Sequence, residues 1–120
     1  MSSTEIVRVY EDQGREPGDY RVLVDRLWPR GVRKEDIDFD LWAKGVAPSS
    51  ELRKWYSHDV SRFEEFVRRY VSELNNPEKE IQIIELRRHA GPGRLVLLTA
   101  TRDVEHSAAK ILHSIIEATS

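Results

Sequence analysis

The segment Val22-Leu23-Val24-Asp25-Arg26-Leu27-Trp28-Pro29-Arg30-Gly31 begins with three apolar residues and then breaks into a carboxylate, two guanidiniums, an indole and a proline. Three apolar residues in a row are the pattern of a strand covered on both faces. Pro29 fixes its own φ, carries no N–H and pushes Trp28 away from helical geometry, so the turn is stiff and starts abruptly. Gly31 gives the backbone angles closed to other residues. A stiff turn directly behind a buried strand can hold a guanidinium in one place. Its planar fork of donors suits phosphate or carboxylate, each charge-assisted bond adding roughly 1.5–3 kcal/mol when partly shielded.

A second polar cluster, Thr101, Arg102, Asp103, His106 and Ser107, follows the apolar run Leu95 to Leu98. In open α/β sheets ligands bind beyond the carboxyl ends of parallel strands. If the Val22 and Leu95 strands are parallel, both clusters leave from the same edge. Trp42 and Lys44, then Arg53, Trp55 and His58, add a third cluster. The expected anion holders are Arg26, Arg30, Arg53 and Arg102. Asp25, His58 and His106 are the candidate proton carriers, because His titrates near neutrality and a carboxylate in an apolar site is tunable. Trp28, Lys44, Asp103 and Ser107 would line the pocket. The competing reading is that Arg26 or Arg102 pairs with Asp25 or Asp103 for folding alone, with Trp28 a core plug.

Other chemistry finds less support. No close-spaced pair such as His-x-x-x-His indicates a metal, His89 reads as a cation at a helix end, and His113 as solvated. There is no Walker-type loop, no Gly-x-Ser-x-Gly and no dinucleotide fingerprint, so no cofactor is expected. Zero cysteines remove thiolate chemistry and disulfides and are compatible with a reducing compartment.

The elements that must position these residues can be read from periodicity. Ile6 to Tyr10 suggest a first strand, Gly14, Pro17 and Gly18 a turn, and Tyr20 to Leu27 a second strand. Ile37, Phe39 and Leu41 alternate with aspartates, hinting at a short half-exposed strand. Ser49 or Ser50 caps a short helix near Glu51 to Tyr56, and Ser61 to Glu64 has the form of a capping box. Phe63, Phe66, Val67, Tyr70, Val71 and Leu74 recur at helical spacing. Asn75-Asn76-Pro77 ends that helix and starts another segment, whose Ile81-Gln82-Ile83 is equally readable as strand. A strand at Leu95 to Leu98 follows, and Ala108, Ile111, Leu112, Ile115 and Ile116 mark a last helix with His106 in its first turn. The order predicts a small single-domain α/β fold over residues 1–120, its sheet at least partly parallel, with helices packed on it.

Whole-chain numbers agree with a folded domain. The chain has 120 residues, 39% hydrophobic and 33% charged, which is near the globular average. Nineteen Lys and Arg against 21 Asp and Glu give a net charge of −2, without the basic excess of a non-specific nucleic-acid binder. No apolar run is long enough to span a bilayer, and the N-terminus lacks the apolar core of a signal peptide. A cytoplasmic protein is expected, in an oligomeric state the sequence leaves open.

The combination YRVLVDRLWPRGVRKE, DLWAKGVAPSSELRKWYSHD, a Phe- and Tyr-rich helix ending YVSEL, and LVLLTATRDVEHSAAKIL resembles the YeaO-like family within domain of unknown function 488. The resemblance covers nearly the entire chain. It implies a small cytoplasmic prokaryotic α/β protein and assigns no activity. Arg102 stands where a lysine is common in the family, keeping the charge, and Ser107 where an asparagine is common, offering only a hydroxyl. Two readings therefore stay open: an enzyme acting on a small anionic or phosphorylated substrate, and a module that binds an anionic ligand, a protein carboxylate or a nucleic-acid backbone without chemistry.

Overall fold

The run Leu95 to Leu98 has no solvent exposure, because its strand lies between two others and is covered on both faces. The computed structural model describes residues 3–119. Along the chain run β1 (Ser3–Arg8), β2 (Tyr20–Leu23), β3 (Leu41–Trp42), α1 (Ser50–Tyr56), α2 (Phe63–Leu74), α3 (Pro77–Ala90), β4 (Arg94–Thr99) and α4 (Ala108–Thr119). The strands form one sheet in the order β1-β4-β2-β3, and every pairing is parallel. Val22 faces Leu97 and Leu23 faces Leu98, so β2 and β4 end side by side. The expected α/β fold with a parallel β2–β4 pair is therefore present.

Alternation along the strands separates two cores. Val22, Leu95 and Leu97 pack with Leu52 and Tyr56 of α1, Phe66, Tyr70 and Leu74 of α2, Ile83 and Leu86 of α3, and Leu112 and Ile116 of α4. All four helices thus bury their apolar sides on one face. Leu23, Val96 and Leu98 point the other way, where Trp28, Ile37 and Phe39 from the β2–β3 connection and Trp42 of β3 cover them. Trp28 meets Phe39 and Trp42 edge-on, with ring centroids 5.6 and 5.4 Å away. The long connection does the work of a helical layer there, and its Trp28 and Phe39 rings, with Trp42 of β3, supply the buried area that lets it. No helix among the described residues is long and apolar enough to cross a membrane.

Several sequence expectations need correction. Strand β2 stops at Leu23, although the Val24 N–H still donates to the Leu98 carbonyl at 3.0 Å. The alternating stretch from Ile37 is mostly irregular, and only Leu41 and Trp42 pair with β2. Ser61 does not cap α2. Asp59 accepts from both the backbone and the hydroxyl of Ser61, which tightens residues 60–62 into a 3₁₀ turn ahead of Phe63. Ile81 to Ile83 are helical, inside α3, where Asn76 accepts from the Lys79 N–H and Pro77 opens the first turn. His106 sits in a 3₁₀ turn, Val104–His106, before α4 begins. His113 is not solvated: its Nε2 lies 2.7 Å from the Thr4 carbonyl and ties α4 to β1.

The amino ends of the strands are held by ion pairs. Arg21 is 1% exposed and pairs with Asp12, while also donating to the Asp38 and Gly14 carbonyls. Arg15 forks onto Asp38 and Asp40, and Arg94 onto Asp19. At this end Gly93 lies directly against the Gly18 carbonyl, an approach that leaves no room for a Cβ.

Candidate functional site

Beyond the carboxyl ends of β2 and β4 opens a cavity of about 580 Å³, within the range of sites for drug-sized ligands. Asp25 and Thr99 form its wall. The Thr99 hydroxyl donates to Asp25 Oδ1 and the Ala100 N–H to Oδ2, both at 2.7 Å. The Trp42 indole N–H donates to the Asp25 carbonyl at 2.7 Å. Burial pushes the Asp25 carboxyl above the ordinary carboxylate range, and the bonds from Ala100 and Thr99 only partly pull it back. Asp25 is fastened at its backbone and its side chain, the arrangement of a strap between strands.

Three arginines line the same cavity: Arg26 and Arg30 from the loop behind β2, and Arg53 from α1. Arg26 Nε donates to the Pro48 carbonyl at 2.6 Å. That single bond orients the fork and leaves its terminal nitrogens without a protein acceptor. The Arg30 carbonyl accepts from the Tyr10 hydroxyl at 3.0 Å, while its side chain stays unpaired. Arg53 is the most informative, since its Nε is buried without any hydrogen-bond partner. Such a donor is costly to leave unsatisfied, by about 1–3 kcal/mol.

The contrast with the other arginines is sharp. Arg8, Arg15, Arg21, Arg33, Arg62, Arg68, Arg69, Arg88 and Arg94 all form ion pairs with Asp or Glu. Arg87 spends its donors on the Ser3, Gly91 and Gly93 carbonyls and the Thr4 hydroxyl. Among the described residues, Arg26, Arg30, Arg53 and Arg102 have neither a carboxylate partner nor the full set of bonds that Arg87 makes, and the first three line one cavity. Lys54 joins them at its edge.

The remaining candidates divide. His58 and His106 both line the cavity, as do Trp28 and Ser107. His58 is exposed and follows Ser57 in left-handed backbone, with φ of 58° and 45°. Two such residues in succession are strained, since neither is glycine. They swing the chain sharply at the end of α1 and leave the His58 ring at the cavity mouth. His106 is fixed from two sides: its Nδ1 lies 2.8 Å from Asp103 Oδ2, and its carbonyl accepts from the Tyr56 hydroxyl at 2.6 Å. The Ser107 hydroxyl donates to the Val104 carbonyl at 2.6 Å and accepts from the Lys110 N–H, so it caps the start of α4. Trp28 has a second duty as cover for the sheet, its indole N–H bonded to the Val32 carbonyl.

Three candidates lie elsewhere. Arg102 is exposed and outside the lining. Asp103 reaches the cavity only through His106. Lys44 sits over the Trp42 ring, 3.9 Å from its centroid, beside a separate hollow between β3 and α3. Tyr10, Tyr56 and Phe66, which also line the cavity, were not among the sequence candidates. Phe66 reads there as part of an amphipathic helix and Tyr56 only as the end of a short one, and nothing in their spacing marks either as lining a cavity. Among the described residues no group of three or more His, Cys, Asp or Glu side chains could hold a metal.

A parallel sheet with this crevice at its carboxyl edge defines a small α/β domain with a ligand-sized pocket. Residues 3–120 match the family described as the inactive DUF488-N3 subclade. The chain is 45% identical over 111 residues to the uncharacterized protein Rv3073c of Mycobacterium tuberculosis, covering 92% of this chain and 91% of that one, with the same figures for a Mycobacterium bovis protein. It is 45% identical over 73 residues to the uncharacterized protein YeaO of Escherichia coli, covering 61% and 63%. The chain belongs to the YeaO-like DUF488 family. No solved structure gives a significant match.

Proposed function

We propose that this cytoplasmic domain binds a small anionic ligand at the carboxyl edge of its sheet and holds it without converting it. The observation that carries the reading is the set of three guanidiniums, Arg26, Arg30 and Arg53, lining one cavity without a carboxylate partner in a chain that pairs most of its other arginines. An oxyanion would supply acceptors for the guanidinium nitrogens that reach the cavity. Non-conversion is supported by the family description as an inactive subclade. It is also supported by the tethering of the polar groups: Asp25 is strapped to Thr99 and Ala100, and Ser107 caps α4.

The test is a thermal-shift screen of inorganic phosphate, sulfate and phosphorylated metabolites. A ligand at 100 times its Kd stabilises by about 2.7 kcal/mol. At least one oxyanion should raise the melting temperature of the wild-type chain, and Arg26→Lys should reduce that rise while keeping the fold, because Lys retains the charge and loses the fork. If no oxyanion raises it, or if Arg26→Lys and Arg53→Lys respond like wild type, the reading fails.

One observation favours a catalytic reading instead. Asp103 accepting from Nδ1–H fixes the orientation of the His106 ring and leaves Nε2 as the nitrogen free to take up a proton. In that reading His106 is the general acid or base, with Asp25 and His58 beside it. Replacing His106 by Gln separates the two, since a binding domain keeps its affinity and an enzyme loses turnover by about 10²–10⁴-fold.

A further inference from the structure

The cavity is far larger than an oxyanion needs. A water takes up about 30 Å³ of the liquid, so 580 Å³ would hold roughly twenty waters, several times the bulk of one tetrahedral anion. Its lining is also divided in character. The guanidiniums come from the loop behind β2 and from α1, whereas the accessible apolar lining is Leu27, Tyr10 and Ala108, over a floor closed by the buried Val24, Tyr56, Phe66 and Ala109. Phe66 and Tyr56 stack face to face at 4.1 Å with 9° between their planes, which makes this side rigid. Leu27 and Tyr10, which also line it, are 56% and 51% exposed, so apolar surface continues out to the mouth.

Resting on the anion-binding reading, we propose that the natural ligand is an amphiphile: a free small molecule with one oxyanion head, phosphate or carboxylate, and a compact apolar body. The head takes the donors of Arg26, Arg30 and Arg53, and the body lies along Leu27, Tyr10 and Ala108, above the closed floor of Val24, Phe66 and Ala109. Two physical points direct this choice. A bare anion would leave the exposed apolar lining, Leu27 and Tyr10, in contact with poorly bonded water, and displacing such water with apolar groups gains affinity. Ala108 and Ala109 start α4 with small side chains, so the helix end leaves the space a body needs.

The experiment measures binding of four probes to the full chain by calorimetry: inorganic phosphate, hexyl phosphate, hexanoate and 1-hexanol. Hexyl phosphate or hexanoate should bind at least roughly thirtyfold more tightly than inorganic phosphate, since each buried methylene adds to the transfer free energy. Comparing the two tells which head group is preferred. Ala108→Phe, which fills the apolar side, should bring the ratio of hexyl phosphate to phosphate affinity toward one, with the melting temperature confirming the fold. Should that variant not fold, Ala108→Leu gives the same readout. Equal affinity of phosphate and hexyl phosphate overturns the amphiphile and leaves the anion site standing. Binding of 1-hexanol as tight as hexyl phosphate, or no binding by any probe, overturns both.

Discussion

Thr99, the last residue of β4, and Asp25, two residues past the end of β2, are joined by a 2.7 Å hydrogen bond from the Thr99 hydroxyl to Asp25 Oδ1. The Ala100 N–H takes the other oxygen, so one carboxylate binds the ends of two neighbouring parallel strands at the wall of the cavity. The price is a charge in a mostly apolar setting, and burial answers by raising its pKa.

That raised pKa has a testable sign. The unfolded carboxyl titrates near 3.9. Because the folded carboxyl holds its proton to higher pH, Asp25 contributes stability that is fully present below about 3.9 and is lost as pH rises through the native value. Asp19, held down chiefly by its bond from Arg94, runs the opposite way, losing its contribution as pH falls. The melting temperature of wild type minus that of Asp25→Asn should therefore be largest in acid and decline toward neutrality. A difference independent of pH would show that Asp25 titrates alike in both states.

Asp12 is the carboxylate partner of Arg21, whose side chain is 1% exposed. Removing one member of a buried pair leaves the other charge uncompensated, at about 3–5 kcal/mol. Asp12→Ala should lower stability by that order in urea titration, with no effect on oxyanion affinity, because the pair lies at the opposite end of the strands. Arg68→Ala, which breaks an exposed pair with Glu65, should leave the melting temperature nearly unchanged.

Gly93 abuts the Gly18 carbonyl. A methyl group there forces the turn before β2 away from the start of β4. Gly93→Ala should cost about 1–3 kcal/mol, measured as a lower midpoint in denaturant. Gly31→Ala meets no neighbour, but its φ of 77° is one an L side chain rarely adopts, so its smaller loss would come from backbone strain.

The main elements were legible because they bury apolar side chains at regular spacing. Leu95 to Leu98 and Val22 to Leu23 are continuous apolar runs, and Phe66, Tyr70 and Leu74 keep a helical period. The aromatic cover over the second sheet face was not, since Trp28 and Phe39 lie on the β2–β3 connection and Trp42 in the two-residue strand β3, and they meet only in three dimensions. Ser61 misled because Asp59, two residues before it, competes for its N–H and hydroxyl. At the site, the shared edge of Asp25, Arg26 and Thr101 followed from strand direction alone. Which arginines stay unpaired did not, because pairing depends on carboxylates brought close from distant positions, as Asp38 and Asp40 are to Arg15. Arg102 belonged to the right strand end and still falls outside the cavity, while Arg53, named with it from the sequence, reaches the lining from α1.

The central claim is that unpaired guanidinium donors in this cavity await an oxyanion, and the Nε–H of Arg53 reports on it most directly. In a phosphate titration followed by ¹H–¹⁵N spectra of the arginine Nε groups, the Arg53 resonance should shift and saturate. Those of Arg26 and Arg30 should move on the same curve, while Arg21 and Arg94, already bonded to carboxylates, stay still. If Arg53 does not respond, or if all exposed arginines drift together without saturation, the cavity does not bind an anion and the claim is wrong.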